Sequence, residues 1–251
     1  MFSFFQKKSP LTSMFPPDFV DIHSHFLPNI DDGSVSMEES VALLRRMHGY
    51  GIKHVICTPH VMESVWENTS ENIQRQLDAL NSHLKSIEFN DITVHAAAEY
   101  MLDANFDRLL KTEKLRTLKE NYILVELSFI STPVNLYETL FNIQIAGYKP
   151  ILAHPERYSY FHNSMEEYLK LKAAGCLFQM NLLSLSNYYG PKVHAVAIDL
   201  LKQQLIDFTA TDTHNQQQLD FLENIDHGKT MKLIEPILGA NAFFINEPIS
   251  Q

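Results

Sequence analysis

The chain has 251 residues, 45% hydrophobic and 20% charged, which suits a soluble globular enzyme and excludes disordered or fibrous classes. Thirty acidic residues against twenty basic ones leave a formal charge of −10, which argues against a nucleic-acid surface, although an acidic protein can still take a phosphate through metal ions. Two cysteines, Cys57 and Cys176, are too few for a disulfide framework and fit a reducing compartment.

The opening MFSFFQKKSP has only a broken apolar stretch before Lys7 and Lys8, unlike the continuous hydrophobic region of a signal peptide. No later run is long enough to span a bilayer, so a cytoplasmic protein is expected. Residues 1–17 carry three prolines and are expected to form a loosely held tail before one domain over 18–251.

Phe19–His23 reads as a strand, followed by the turn residues Asp31-Asp32-Gly33. A helix then starts with Ser36 as N-cap and Glu39 three residues on, a capping box, and stops at Gly51. His54–Thr58 is a second strand. The long helix after it carries Ile73, Leu77, Leu80, Leu84 and Ile87 at spacings of four and three, one buried stripe. Thr93–Ala98, Tyr122–Leu127, Lys149–Ala153, Leu177–Met180 and Asp207–Thr211 bring the candidate strands to seven, with Gly147 and Gly175 placed to end helices before the next strand. From Leu233 a last helix with a tail is expected. The alternation implies an α/β fold with parallel strands joined by crossover helices, an irregular seven-stranded relative of the eight-stranded TIM barrel.

The polar chemistry is concentrated at the C-terminal tips of these strands, where such barrels place their active sites. His23 and His25, two apart, project from one face of a strand as a pincer. Asp31 and Asp32 follow just beyond. His60 comes after a proline that stiffens the strand exit, Glu99 and Glu126 follow apolar strand residues, His154 and Arg157 sit in HPER, and Asp212 and His214 repeat the same-face spacing. Each has an ordinary reading alone: surface histidines, a turn, a carboxylate paired with arginine, or a helix-start ion pair. Together, at five strand-tip groups, they form an oxygen and imidazole inventory that suits hard divalent cations and a hydrolytic metal site. Of twelve histidines, His48, His54, His83, His95, His162, His194 and His227 are left as surface or packing residues.

In order, HSHFLPNIDDGS, CTPH, AEY, VEL, AHPER and TDTH resemble the polymerase and histidinol phosphatase (PHP) superfamily, and more closely its bacterial capsule-locus protein-tyrosine phosphatases. The similarity runs from about Asp21 to His214. It implies an irregular (β/α)7 barrel, three divalent ions, usually manganese with iron, zinc, cobalt or magnesium as alternatives, and hydrolysis of phosphotyrosine on tyrosine kinases that govern exopolysaccharide export. Carried over by motif, His23, His25, Glu99 and Asp212 hold one cation; Glu99 bridges to a second held by Glu126 and His154; Asp32, His60 and His214 hold a third. Asp32 is preferred over Asp31 because it directly precedes glycine. Arg157 is expected to grip phosphate, with Asp32 and His60 beside it in the reaction. Many relatives carry a further arginine after the final Asp-x-His; here His214 is followed by NQQQLDF.

Four carboxylates and three divalent cations would leave the loaded site at about +2 before Arg157, attractive to a phosphate dianion. The thiol route is excluded by spacing: Cys-dependent phosphatases place arginine six residues after the cysteine, whereas Cys57 leads to Glu63 and Cys176 to Leu182. The alternatives are a phosphatase of a small monoester such as histidinol phosphate, a nucleotide phosphodiesterase, or a metal-binding regulatory protein without turnover. A homo-oligomer is compatible with the exposed helical faces.

Overall fold

All pairings between strands are parallel, as the alternation predicts, in a computed structural model that describes residues 10–225 and 230–245. In chain order the elements are β1 (Val20–Asp21), α1 (Met37–Gly49), β2 (His54–Cys57), β3 (His60–Val61), α2 (Ser70–Ser86), β4 (Thr93–Ala96), β5 (Glu99–Met101), α3 (Ala104–Thr112) and β6 (Tyr122–Glu126). Then come α4 (Leu136–Ile145), β7 (Lys149–Ala153), α5 (Met165–Ala173), β8 (Leu177–Asn181), α6 (Pro191–Lys202), β9 (Phe208–Ala210), α7 (Gln216–Glu223) and α8 (Met231–Ala240).

Two of the seven expected strands, His54–Thr58 and Thr93–Ala98, continue past their expected ends as two-part strands. The second divides into β2 and β3 at Thr58-Pro59, where proline has no N–H to donate; the third divides into β4 and β5 at Ala97-Ala98. The lower halves form the sheet β1-β2-β4 and the upper halves join β3-β5-β6-β7-β8-β9. Ala97 N still donates to Cys57 O at 2.8 Å and Glu99 N to Pro59 O at 3.1 Å, so the upper halves keep their alignment across the breaks.

Between β9 and β1 the contact is made by side chains and by one parallel bridge, Ser24 to Thr213. Buried Asp21 accepts from Thr211 N at 2.9 Å and from its hydroxyl at 2.6 Å, while Asn241 Nδ2 donates to Val20 O at 2.8 Å and to Thr209 O at 2.6 Å. Above them Asp212 N donates to His23 O at 2.8 Å and His25 N to Thr213 O at 3.0 Å. The first and last strand tips are thereby fixed side by side.

The small apolar cluster enclosed by the strands includes Val20, Ile22, Ile56, Ala97, Leu124, Ile151 and Ala210, with Phe244 among them. Glu99, Glu126 and Asp212 lie two residues beyond Ala97, Leu124 and Ala210, so they occupy the next step of the same alternation. A larger cluster packs the helices against the outer strand faces; from α2 it takes Ile73, Leu77, Leu80 and Leu84. Ile87 lies just past the helix and is 37% exposed, outside the expected stripe.

Ser36 caps α1 by accepting from Glu39 N at 3.2 Å, but the Glu39 carboxylate returns to Val35 N rather than to Ser36 N. Residues 10–17 differ from a loose tail: Leu11 is fully buried and its N–H donates to Ile225 O at 2.9 Å. Residues 1–9, His227 and 246–251 lie outside the described residues. Among the described residues no helix is long and apolar enough to cross a membrane.

Candidate metal centre

All nine sequence-selected ligands converge. Ligand atoms within 4.8 Å of one another group as His23, His25 and Glu99; as His60, Glu99 and Glu126; as His25, Asp32, His60 and His214; and as His23, His154 and Asp212. The sharing is wider than expected, since His60 also reaches Glu99 and Glu126, His25 also reaches Asp32, and His154 sits beside His23 and Asp212 as well as Glu99.

Neighbours fix the histidine tautomers. His23 Nδ1 donates to Gln179 Oε1 at 2.8 Å, His25 Nδ1 to Asp31 Oδ2 at 2.7 Å, and His214 Nδ1 to the Asp212 carbonyl at 3.0 Å. In each ring the proton goes outward and the Nε2 lone pair faces the cluster, as outer-shell partners arrange metal-binding imidazoles. Asp31 also accepts from Gly33 N at 3.0 Å and His60 N at 3.2 Å, so it positions His25, while Asp32 lies 3.4 Å from both His60 Nε2 and His214 Nε2. Gly33 is needed for close approach: a Cβ there would overlap the carbonyl oxygen and Cβ of His25.

Glu99 Oε2 is buried and makes no hydrogen bond, yet it lies 3.1 Å from His23 Nε2, 3.1 Å from His60 Nδ1 and 3.6 Å from His25 Nε2. His23 Nε2 and His25 Nε2 are themselves 3.2 Å apart. A carboxylate oxygen ringed by imidazole lone pairs, without proton-donating geometry, is expensive unless a cation fills the centre. The donors, carboxylate oxygen and neutral imidazole, are those hard or borderline divalent ions accept.

Against the burial that would lower them, the neighbouring carboxylates raise His23, His25 and His60, the last to about 9, so the negative charge of the cluster favours positive charge at its centre. Burial, seconded by the Arg157 cation, pushes His154 down to about 4 and keeps it neutral. Burial and the adjacent Glu99 charge raise the Glu126 carboxyl. Against its own burial, Asp31 is pulled down to about 2 by His25. His154 (φ 35°) and Asp212 (φ 50°) both adopt left-handed backbone, a strained choice for non-glycine residues of the kind that collects at functional sites.

Arg157 pairs with Asp212 Oδ2 at 2.8 Å, and its guanidinium carbon lies 4.7 Å from the Phe129 ring centre and 4.3 Å from that of Tyr189. Asn181 Nδ2 donates to Asp212 Oδ2 at 2.7 Å and to the Tyr189 hydroxyl at 3.0 Å. Buried Glu156, pushed up to about 7 by desolvation, accepts from Asn181 N at 2.9 Å and Ser184 Oγ at 2.7 Å. Sequence reading missed Gln179, Asn181, Phe129 and Tyr189. For the first two a signal existed: Gln179 and Asn181 stand two apart at a strand tip, the spacing that singled out His23 and His25. Over Asp32, Asp212, His214 and Arg157 opens a cleft of about 310 Å3, also lined by Tyr188, Tyr189, Asn215 and Gln218. Asn215, directly after the final Asp-x-His, caps α7 by accepting from Gln218 N. The two cysteines are buried elsewhere, and desolvation pushes both thiols up to about 12.

A parallel α/β scaffold with a histidine and carboxylate cluster at its strand tips defines a candidate metallohydrolase. The family described as capsular polysaccharide synthesis, CpsB/CapC, matches residues 19–221, and the chain belongs to it. It is similar to tyrosine-protein phosphatase YwqE of Bacillus subtilis, 30% identical over 205 residues that cover 80% of each chain. It is also similar to tyrosine-protein phosphatase CpsB of Streptococcus pneumoniae, 31% identical over 204 residues, 78% of this chain and 83% of the relative. A crystal structure from a study of YwqE and CpsB, described as unique metal-dependent tyrosine phosphatases, superposes with a TM-score of 0.80 at 27% identity, covering 89% of this chain and 92% of the other.

Proposed function

We propose that the chain is a metal-dependent protein-tyrosine phosphatase built as an irregular (β/α)7 barrel, a single catalytic domain over 18–251. The observation that carries this reading is Glu99 Oε2, buried among His23, His25 and His60 without a hydrogen bond. Family membership and the named relatives supply the phosphotyrosine chemistry.

His23, His25, Glu99 and Asp212 would hold one divalent ion, Glu99, Glu126 and His154 a second, and Asp32, His60 and His214 a third, with manganese favoured. Bound there, such ions would lower the pKa of water to supply a nucleophile near neutral pH and stabilise charge on the transferring phosphoryl group. Arg157 orients that group with its planar fork, held in place by Asp212 and two aromatic rings. Asp32, half exposed, lies with His214 at the cleft, the face on which the phosphoester arrives, and its carboxylate is 3.4 Å from His60 behind it. The substrate we favour is the phosphorylated tyrosine of a kinase controlling exopolysaccharide synthesis, met in the cytoplasm.

The test is turnover of a phosphotyrosine peptide with added Mn2+, run beside histidinol phosphate. Chelator, or Glu99→Gln, is expected to abolish peptide turnover. Undiminished activity in chelator would overturn the reading, and preference for histidinol phosphate would move the substrate to a small monoester.

A further inference from the structure

A row of rings crosses the mouth of the site. The Arg157 guanidinium sits between Phe129 and Tyr189, Tyr189 meets Tyr188 edge to face at 4.8 Å, and Tyr188 meets Phe221 at 4.9 Å. The row draws on the loop after β6, the turn after β7, the segment after β8, and α7, so four separate crossovers each deliver a member to one line. Phe129 is 44% exposed and Phe221 40%, so both ends of the row open to solvent near the charged cleft.

We propose that Tyr188, backed by Tyr189 and Phe221, forms the wall that receives the aryl ring of the phosphorylated residue and sets the preference for aryl over alkyl phosphates. The proposal rests on the phosphatase reading above and adds to it the residues that recognise the leaving group. Tyr188 and Tyr189 line the same cleft of about 310 Å3 as Arg157, Asp32, Asp212 and His214. A phosphate held by Arg157 therefore points the rest of its ester along that wall. The volume lies at the lower end of the range for small-ligand sites, enough for one side chain rather than a folded surface.

An aromatic wall suits this ligand in two ways. Edge-to-face contact with a phenyl ring adds to simple apolar burial, and an alkyl chain such as that of phosphoserine is too short to reach it. The row also holds the planar Arg157 guanidinium between two rings, so phosphate grip and ring recognition are built from one continuous stack. NQQQLDF after His214 then has a structural sense: Asn215 and Gln218 finish the cleft floor and Phe221 closes the wall.

The experiment compares kcat/KM for O-phosphotyrosine and O-phosphoserine in the metal-loaded full chain, using the ratio of the two so that changes in metal occupancy cancel. Tyr188→Leu and Phe221→Leu, the latter at a part-exposed site with little folding risk, are expected to lower the aryl-to-alkyl ratio about fivefold, mainly through KM for the aryl ester. Tyr188→Phe, which keeps the ring, is expected to hold the ratio. An unchanged ratio in both Leu variants while the unaltered chain turns over phosphotyrosine would overturn the proposal and leave the phosphatase reading standing. Absence of metal-stimulated turnover from the unaltered chain would defeat both.

Discussion

Asp31 accepts the Nδ1 proton of His25 at 2.7 Å, and this contact decides which nitrogen of the ring is left for a cation. Asp31 is therefore a positioning residue, although it stands next to a proposed ligand. Asp31→Ala is expected to weaken Mn2+ binding about 10- to 100-fold with secondary structure retained. Calorimetric titration of Mn2+ into the metal-free protein checks this, and wild-type affinity in the variant would show that the tautomer is set elsewhere.

Gly33 lies against the His25 backbone so closely that no Cβ fits. Gly33→Ala must push the Asp31-Asp32 turn outward and is expected to cost about 1–3 kcal/mol of stability while also lowering metal affinity. Thermal melting with and without Mn2+ separates the effects. A variant that melts like the parent would mean the turn yields freely.

Arg157 is clasped between two rings and one carboxylate, a planar slot that an ammonium does not fill. Arg157→Ala is expected to lower kcat/KM for phosphotyrosine peptide about a hundredfold at saturating metal, and Arg157→Lys to restore little of it. Metal content measured on the same samples should stay at the parent's level. Loss of metal together with activity would instead make the residue structural.

With both thiols held near 12 by burial, Cys57 and Cys176 carry almost no thiolate at neutral pH. A raised pKa delays ionisation, so modification should become appreciable only as the pH climbs toward that value. At pH 7.5, iodoacetamide is expected to leave the folded protein unmodified by mass spectrometry and fully active. Rapid inactivation with one alkylated cysteine would reopen a thiol mechanism.

The nine clustered residues could be read from the chain because histidines and carboxylates have few ordinary reasons to recur at successive strand tips. The spacing of His23 and His25 became a signal only beside the carboxylates and histidines of the other tips. Gln179 and Asn181 carried the same spacing but not the same chemistry, since an uncharged amide is an ordinary strand residue until a histidine is seen beside it. Phe129 and Tyr189 were invisible for a different reason: an aromatic residue in a loop is common, and only the fold brings two of them onto Arg157. The short strands β3 and β5 were missed because both lie past the expected strand ends at Thr58 and Ala98. Pro59 reads as the exit of its strand, and Ala97-Ala98 gives no comparable break in the sequence.

The interruptions at Thr58-Pro59 and Ala97-Ala98 place His60, Glu99 and Glu126 in a ladder of their own, His60 opposite Glu99 and Glu126 opposite Met101, apart from the sheet formed by β1, β2 and β4. Yet β1, in the lower sheet, leads straight into His23 and His25, and the bonds from Ala97 N to Cys57 O and from Glu99 N to Pro59 O carry the register across both joints. A substitution in the foundation strands is therefore felt at the reactive rim, which ties the drift of the scaffold to the spacing of the clustered side chains.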